Sequence, residues 1–82
     1  MNICFFIGKI CSEIGFNFIL NSKDISIAVF DLELLNGSIV KVKAYNEIAD
    51  YCYSNLEKGT NIQVKGYING EYETILEELN FL

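Results

Sequence analysis

The sequence predicts an all-β domain with one short helix between its third and fourth strands. Three observations carry this. Apolar residues recur at every second position through most of the chain, the period of half-buried strands. The period switches to that of a helix only over 46–57. Turn dipeptides, Asn36-Gly37 and Asn69-Gly70, stand between the alternating runs.

The first run is Asn2 to Ile10, rich in Ile and Phe, with Gly8 inside it as the mark of a bulge or bend. Phe16, Phe18 and Leu20 then alternate with Asn17, Ile19 and Asn21, and Asn21-Ser22-Lys23-Asp24 reads as a turn. A clear hairpin follows. Ala28, Phe30, Leu32 and Leu34 make one apolar face, and Val40, Val42 and Ala44 continue it after the turn. Parity constrains the loop. A two-residue Asn36-Gly37 turn would set Leu32 against Lys41 and mix the faces. A three-residue loop, Leu35-Asn36-Gly37, pairs Leu32 with Val40 and Asp31 with Lys41, with Gly37 in the left-handed bulge position.

Asn46 to Glu57 reads as the helix. Asn46 is the expected N-cap, and Glu47 and Asp50 suit the positive helix start. Ile48, Cys52 and Leu56 share one face, Lys58 suits the end, and Gly59 is a good residue to follow it. Ile62, Val64, Gly66 and Ile68 then alternate with Gln63, Lys65 and Tyr67. A two-residue Asn69-Gly70 hairpin would set Tyr67 opposite Tyr72, and the last run extends from Tyr72 to Leu82. Five strand-like runs and one helix in the order β-β-β-α-β-β predict a five-stranded Greek-key OB-fold barrel over residues 1–82, a single domain.

Composition narrows function. The 82 residues are 51% hydrophobic and 21% charged, a globular and not a disordered balance. Six basic residues, all lysines, face eleven acidic ones for a formal charge of −5. A general polyanion binder is usually basic, so this balance weighs against nucleic acid. With no histidine, a Ser-His-Asp or Cys-His site within one chain and histidine metal ligation are excluded. Cys4, Cys11 and Cys52 are odd in number and scattered without a CxxC, and read as reduced thiols in a cytosolic core. Glu71, Glu73, Glu77 and Glu78 read as a solvated strand face, not a metal site. No metal, cofactor or catalytic group is expected. The N-terminus lacks a basic leader region and Lys9 interrupts its apolar run, so a soluble, cytoplasmic protein is expected. A chain this short buries only about 60% of its unfolded surface, and self-association is the expected further support.

The order of motifs resembles the bacterial single-stranded DNA-binding proteins. Residues 2–10 resemble that family's opening strand with its Gly-basic-aliphatic end, and Ile27-Ala28-Val29-Phe30-Asp31-Leu32 its second. Val42 to Asp50 and Leu56 to Ile68 resemble a strand ending in an aromatic, a helix with Leu-Ala-Glu, then Leu-x-Lys-Gly and a strand ending Glu-Gly-x-Leu. Asn80-Phe81-Leu82 resembles the end of the fifth strand. Several features depart from the family. The long hairpin between its second and third strands is a tight turn here, and its long last loop is Asn69-Gly70. Its disordered tail with an acidic tip has no counterpart within these 82 residues. Ile39 stands at a stacking-tryptophan position and Glu47 where a basic residue is common. The resemblance implies a short or divergent relative, like those acting as restart accessory proteins or carried by mobile elements.

Binding unpaired nucleic acid takes cations along the phosphates and flat side chains against the bases. Tyr45 is the first candidate: alternation sets it outward with Lys41 and Lys43, and the family carries an aromatic there. Lys65, Lys9 and Lys58 are further candidate phosphate contacts, and Tyr67 and Tyr72 a candidate two-ring platform. Each also has a plain structural role, in cross-strand pairing, helix capping or hairpin packing. The resemblance implies non-sequence-specific binding of unpaired DNA in replication, recombination or repair; with so small a face and so few cations, the affinity should be weak and strongly salt-dependent. It also implies a homodimer or homotetramer through the first strand, with Phe5 or Phe6 at the interface. The acidic balance favours the alternative, a protein-interaction module among replication or recombination proteins with little DNA affinity.

Overall fold

The structure is a computed structural model, and it describes residues 2–20 and 24–82. Its elements are β1 (Cys4–Ile10), β2 (Gly15–Ile19), β3 (Ile25–Leu34), β4 (Ile39–Tyr45), α1 (Asn46–Asn55), β5 (Asn61–Ile68) and β6 (Thr74–Phe81). The sheet order is β1-β5-β6-β4-β3-β2, and a further pairing of β1 with β3 closes it. Five strands therefore form a closed barrel, with α1 between β4 and β5, and this is the OB-fold. Among the described residues, no helix is long and apolar enough to cross a membrane.

The stretch after the first run forms a strand of its own. β1 and β2 lie one after the other along the same partner: Ile10 pairs with Leu32 and Gly15 with Val29. Residues 11–14 span the interval that Phe30 and Asp31 fill on β3. The Cys11 amide donates to the Asp31 carbonyl (2.9 Å), and the Asp31 amide donates to Ser12 Oγ (2.8 Å). β1 and β2 are thus one interrupted strand, which is why five runs describe a chain with six hydrogen-bonded strands. The turn expected at 21–24 lies, in its first three residues, outside the described residues.

The hairpin between β3 and β4 has the register that face parity predicts, with Leu32 opposite Val40 and Asp31 opposite Lys41. Its loop is Leu35-Asn36-Gly37, and Gly37 has φ 87°. The hairpin between β5 and β6 corrects the expectation. Tyr67 pairs with Ile75, not Tyr72, and Ile68 pairs with Thr74. The Asn69 amide donates to the Glu73 carbonyl (3.0 Å) and the Tyr72 amide to the Asn69 carbonyl (3.2 Å). Three residues, 70–72, therefore form the loop, and Tyr72 holds the left-handed position at φ 62°. The two-residue turn would have set Glu73 against Gly66 and Glu77 against Ile62. The observed register instead sets Leu76, Leu79 and Phe81 against Gly66, Val64 and Ile62. Asn69 holds the longer loop, its Oδ1 accepting from the amides of Glu71 (3.0 Å) and Glu73 (2.9 Å).

The helix also starts differently. Tyr45 is the N-cap residue, without a side-chain cap, and Asn46 takes φ 56°. Asparagine tolerates this left-handed turn, and it leads β4 into α1 without a linker. The helix ends at Asn55, before Lys58, and Gly59 (φ 97°) serves the following loop, where its amide donates to the Ile10 carbonyl (2.8 Å).

Ile10, Phe30, Leu32, Val42, Ile62 and Val64 fill the barrel, and Ala49, Cys52 and Leu56 of α1 cap it. Phe16 of β2 stacks on Tyr53 of α1 with ring centroids 4.6 Å apart. All three cysteines are free, but only Cys52 is in the core, where burial pushes its thiol from 9.0 up to about 11. Cys4 and Cys11 are half-buried, which corrects the expectation of three core thiols.

Two glycines let the strands approach. A Cβ on Gly8 would collide with the Glu33 carbonyl, and one on Gly66 with the Ile75 carbonyl beside the β5–β6 bulge. Gly70 has open space around it. Gly8→Ala and Gly66→Ala should each lower stability by about 1–3 kcal/mol or more in urea unfolding, because backbone must move. Gly70→Ala should change it little. Equal stability of all three variants would show that these close approaches are not needed.

Candidate nucleic-acid interface

Alternation along β4 turns Val40, Val42 and Ala44 inward and Ile39, Lys41, Lys43 and Tyr45 outward. The neighbouring strands extend this outer face. On one side Lys43 lies opposite Val29 and Tyr45 opposite Ile27 of β3. On the other, β6 joins β4 in parallel and sets Ile75 beside Lys43. Ile75 in turn pairs with Tyr67 of β5. A row of Tyr67, Ile75, Lys43 and Val29 thus crosses four strands, with Tyr45 one step along β4. Ile75 is buried yet lies outside the core cluster, which places it under this outer row.

Tyr45 is 37% exposed and Tyr67 40%, so each ring is partly anchored and partly free. Lys43 Nζ stands 5.7 Å from the Tyr45 ring centroid and 3.8 Å from Glu73 Oε1. Its ammonium is held above the usual 10.5, first by its electrostatic interaction with Tyr45. Desolvation opposes the shift, and the Glu73 carboxylate adds to it. Lys41 Nζ lies 3.9 Å from Asp31 Oδ1. Lys65 lies on the same face of β5 as Tyr67, 3.2 Å from Glu78 Oε2 and 5.8 Å from the Phe5 ring centroid.

The structure therefore brings Tyr45, Lys43, Lys41 and Tyr67 together, with Lys65 alongside. Tyr72 is 89% exposed at the tip of the adjoining hairpin, so the two-ring platform with Tyr67 does not form by strand pairing. Lys9 and Lys58 fall elsewhere. Lys9 lies opposite Asn61, at the end of β5 away from Tyr67, and Lys58 adjoins Gly59, which is bonded to Ile10. Glu73 is not on a solvated strand face: its side chain is 17% exposed and faces Lys43. Sequence reasoning missed Ile75 and Glu73 because the parallel β4–β6 pairing that places them leaves no local pattern. Phe5 is 61% exposed on the outer side of β1 beside Ile3 and Ile7, whereas Phe6 packs against the core.

A second concavity runs between α1 and β6. Ile48, Tyr51 and Leu79 line it together with Glu47, Glu77 and Glu78.

No family model matches the chain. No curated protein matches it either. Solved structures do. The wild-type single-stranded DNA-binding protein from Thermus aquaticus superposes with a TM-score of 0.86 at 16% identity, covering 100% of this chain and 40% of that one. A deletion mutant of the same protein gives 0.86 at 16% identity, covering 100% and 41%. The single-stranded DNA-binding (SSB) domain of a Synechococcus protein gives 0.83 at 13% identity, covering 98% and 94%. The chain thus spans about two fifths of the Thermus aquaticus protein and nearly all of the Synechococcus domain. At these identities the likeness is one of fold: the chain has the OB-fold of these SSB proteins.

Tyr72 carries a backbone cost that glycine would not. Tyr72→Gly should raise stability by about 1 kcal/mol, read as a higher urea midpoint, because the left-handed conformation is unfavourable for a side chain. An unchanged or lower midpoint would show that the Tyr72 ring packs in a way that offsets the strain.

Proposed function

We propose that this chain is a non-enzymatic, cytoplasmic single-stranded DNA-binding module that holds unpaired strands without reading their sequence. The observation that carries the reading is the outer row Tyr67–Ile75–Lys43 with Tyr45 beside it. It offers two partly anchored rings on the face that carries Lys43, with Lys43 and Tyr45 on the third strand of the barrel and Tyr67 next to the last hairpin, both places OB-folds use for oligonucleotides. Tyr45 and Tyr67 would stack on bases, Tyr72 would add a ring at the hairpin tip, and Lys41, Lys43 and Lys65 would meet phosphates. Lys9 and Lys58 would serve only a strand that continues around the barrel. The likeness to SSB proteins supports the reading through the fold, and the setting it suggests is replication, recombination or repair.

Self-association fits this function. Phe5 and Ile7 of β1, with Ile3 just before it, expose an apolar row, and a dimer or tetramer joined there would multiply weak contacts. A second reading is favoured by the charge of −5 and by the three carboxylates along the concavity between α1 and β6. In it the chain is an acidic module that docks a basic replication or recombination protein and has little affinity for DNA.

Fluorescence anisotropy of labelled oligo-dT, at low and near-physiological salt, separates the two. The first reading predicts saturable binding that weakens with salt. Tyr45→Ala and Tyr67→Ala should each weaken it by roughly 1–3 kcal/mol, the worth of one stacked base, and Lys41→Ala should weaken it less. No binding at low salt would contradict the first reading and leave the second.

A further inference from the structure

The three lysines on the outer face are not free cations. The three ion pairs among the described residues are Lys41–Asp31, Lys43–Glu73 and Lys65–Glu78. Each joins one face lysine to one carboxylate, so the three positive charges meet three negative ones and the face carries no net charge from these pairs. The masks are built by the fold. Asp31 stands opposite Lys41 because the 35–37 loop sets that register, and Glu78 stands opposite Lys65 across the β5–β6 pair. Glu73 is held most firmly: its Oε1 accepts from Asn69 Nδ2 (3.1 Å), and the same residue's Oδ1 accepts from the Glu73 amide (2.9 Å).

We propose that Glu73, with Asp31 and Glu78, determines specificity by occupying the lysine positions a phosphate would take, so that the face admits strands with exposed bases and rejects polyanions that offer phosphates alone. The inference rests on reading this face as the strand-binding surface. A duplex presents phosphates and must displace each carboxylate for another anion, which is close to an even exchange. An unpaired strand makes the same exchange but adds base stacking on Tyr45 and Tyr67, which tips the balance toward binding. Salt dependence should also be shallower than three lysines imply, because freed carboxylates take up cations as the strand releases them.

Glu73 should dominate. Its side chain is 17% exposed and that of Lys43 is 24%, so this pair is screened least. The other two pairs are open to solvent and contribute little to stability, so Asp31→Asn and Glu78→Gln should fold normally. Glu73→Gln keeps an oxygen to accept from Asn69.

The test compares wild type, Glu73→Gln and the triple variant (Asp31→Asn, Glu73→Gln, Glu78→Gln) against oligo-dT and a duplex of equal length, each over a salt series. Asp50→Asn on the exposed face of α1 controls for net charge. Glu73→Gln should tighten oligo-dT binding several-fold and steepen the slope of log K against log salt by about 0.7. The triple variant should bind duplex at concentrations where wild type does not. Equal affinity and slope for wild type and Glu73→Gln, with both binding oligo-dT, would overturn the masking and leave the strand-binding reading intact. An equal gain from Asp50→Asn would overturn it too, as an effect of net charge. Failure of wild type and the triple variant alike to bind oligo-dT would overturn the strand-binding reading itself.

Discussion

Gly8 lies between two strands at once. It pairs with Ile62 of β5 on one side and with Leu34 of β3 on the other, and Lys9 repeats the arrangement with Asn61 and Glu33. Here the sheet returns on itself and becomes a barrel. Closure brings the Glu33 carbonyl into the space that a side chain at position 8 would fill. The rest depends on that seam. A closed barrel has one interior, filled by Phe30, Leu32, Val42, Ile62 and their neighbours. Strict alternation around it then decides which side chains are left outside.

The outer row is the product of that alternation together with one parallel pairing. β4 and β6 meet at only two register positions, Val42 with Thr74 and Lys43 with Ile75. That short contact joins the two hairpins of the barrel. It sets Tyr67, from the other hairpin, on the same outer face as Lys43 and Tyr45, and it brings Glu73 to the same lysine. Rings, cation and carboxylate therefore share one structural cause. A surface with balanced charge pairs and exposed rings suits bases better than phosphates, which would reconcile a chain of charge −5 with the proposed strand-binding face.

Much of this was legible in the sequence. The element order, the inward set of β3 and β4, and the outward placing of Lys41, Lys43 and Tyr45 followed from period-2 alternation. Face parity gave the three-residue loop at 35–37. The same test, applied to 69–73, would have rejected the two-residue turn, since that turn sets glutamates against inward residues. The Asn-Gly dipeptide, a strong local signal, overrode it. Asn69 works there through its side chain and not through a left-handed backbone, and Tyr72 takes the position that glycine takes in the other hairpin. The start of α1 departs from its sequence signal for a related reason: Asn46 is used for its tolerance of positive φ, not for its capping oxygen. The Lys43–Glu73 pair had no local signature, because its residues meet only through strands that are neighbours in space and distant in the chain.

On the proposed reading, an unpaired strand lies on the outer face of β4, β5 and β6. Nitrogen–proton correlation spectra of the labelled protein, recorded while oligo-dT is added, test it residue by residue. A strand bound there should move the amide signals of Lys43, Tyr45, Tyr67 and Ile75 first and furthest, while those of Ile48, Tyr51 and Leu79 beside the acidic concavity stay in place. Shifts centred on α1 and the C-terminal half of β6, or no shifts at all at low salt, would contradict it.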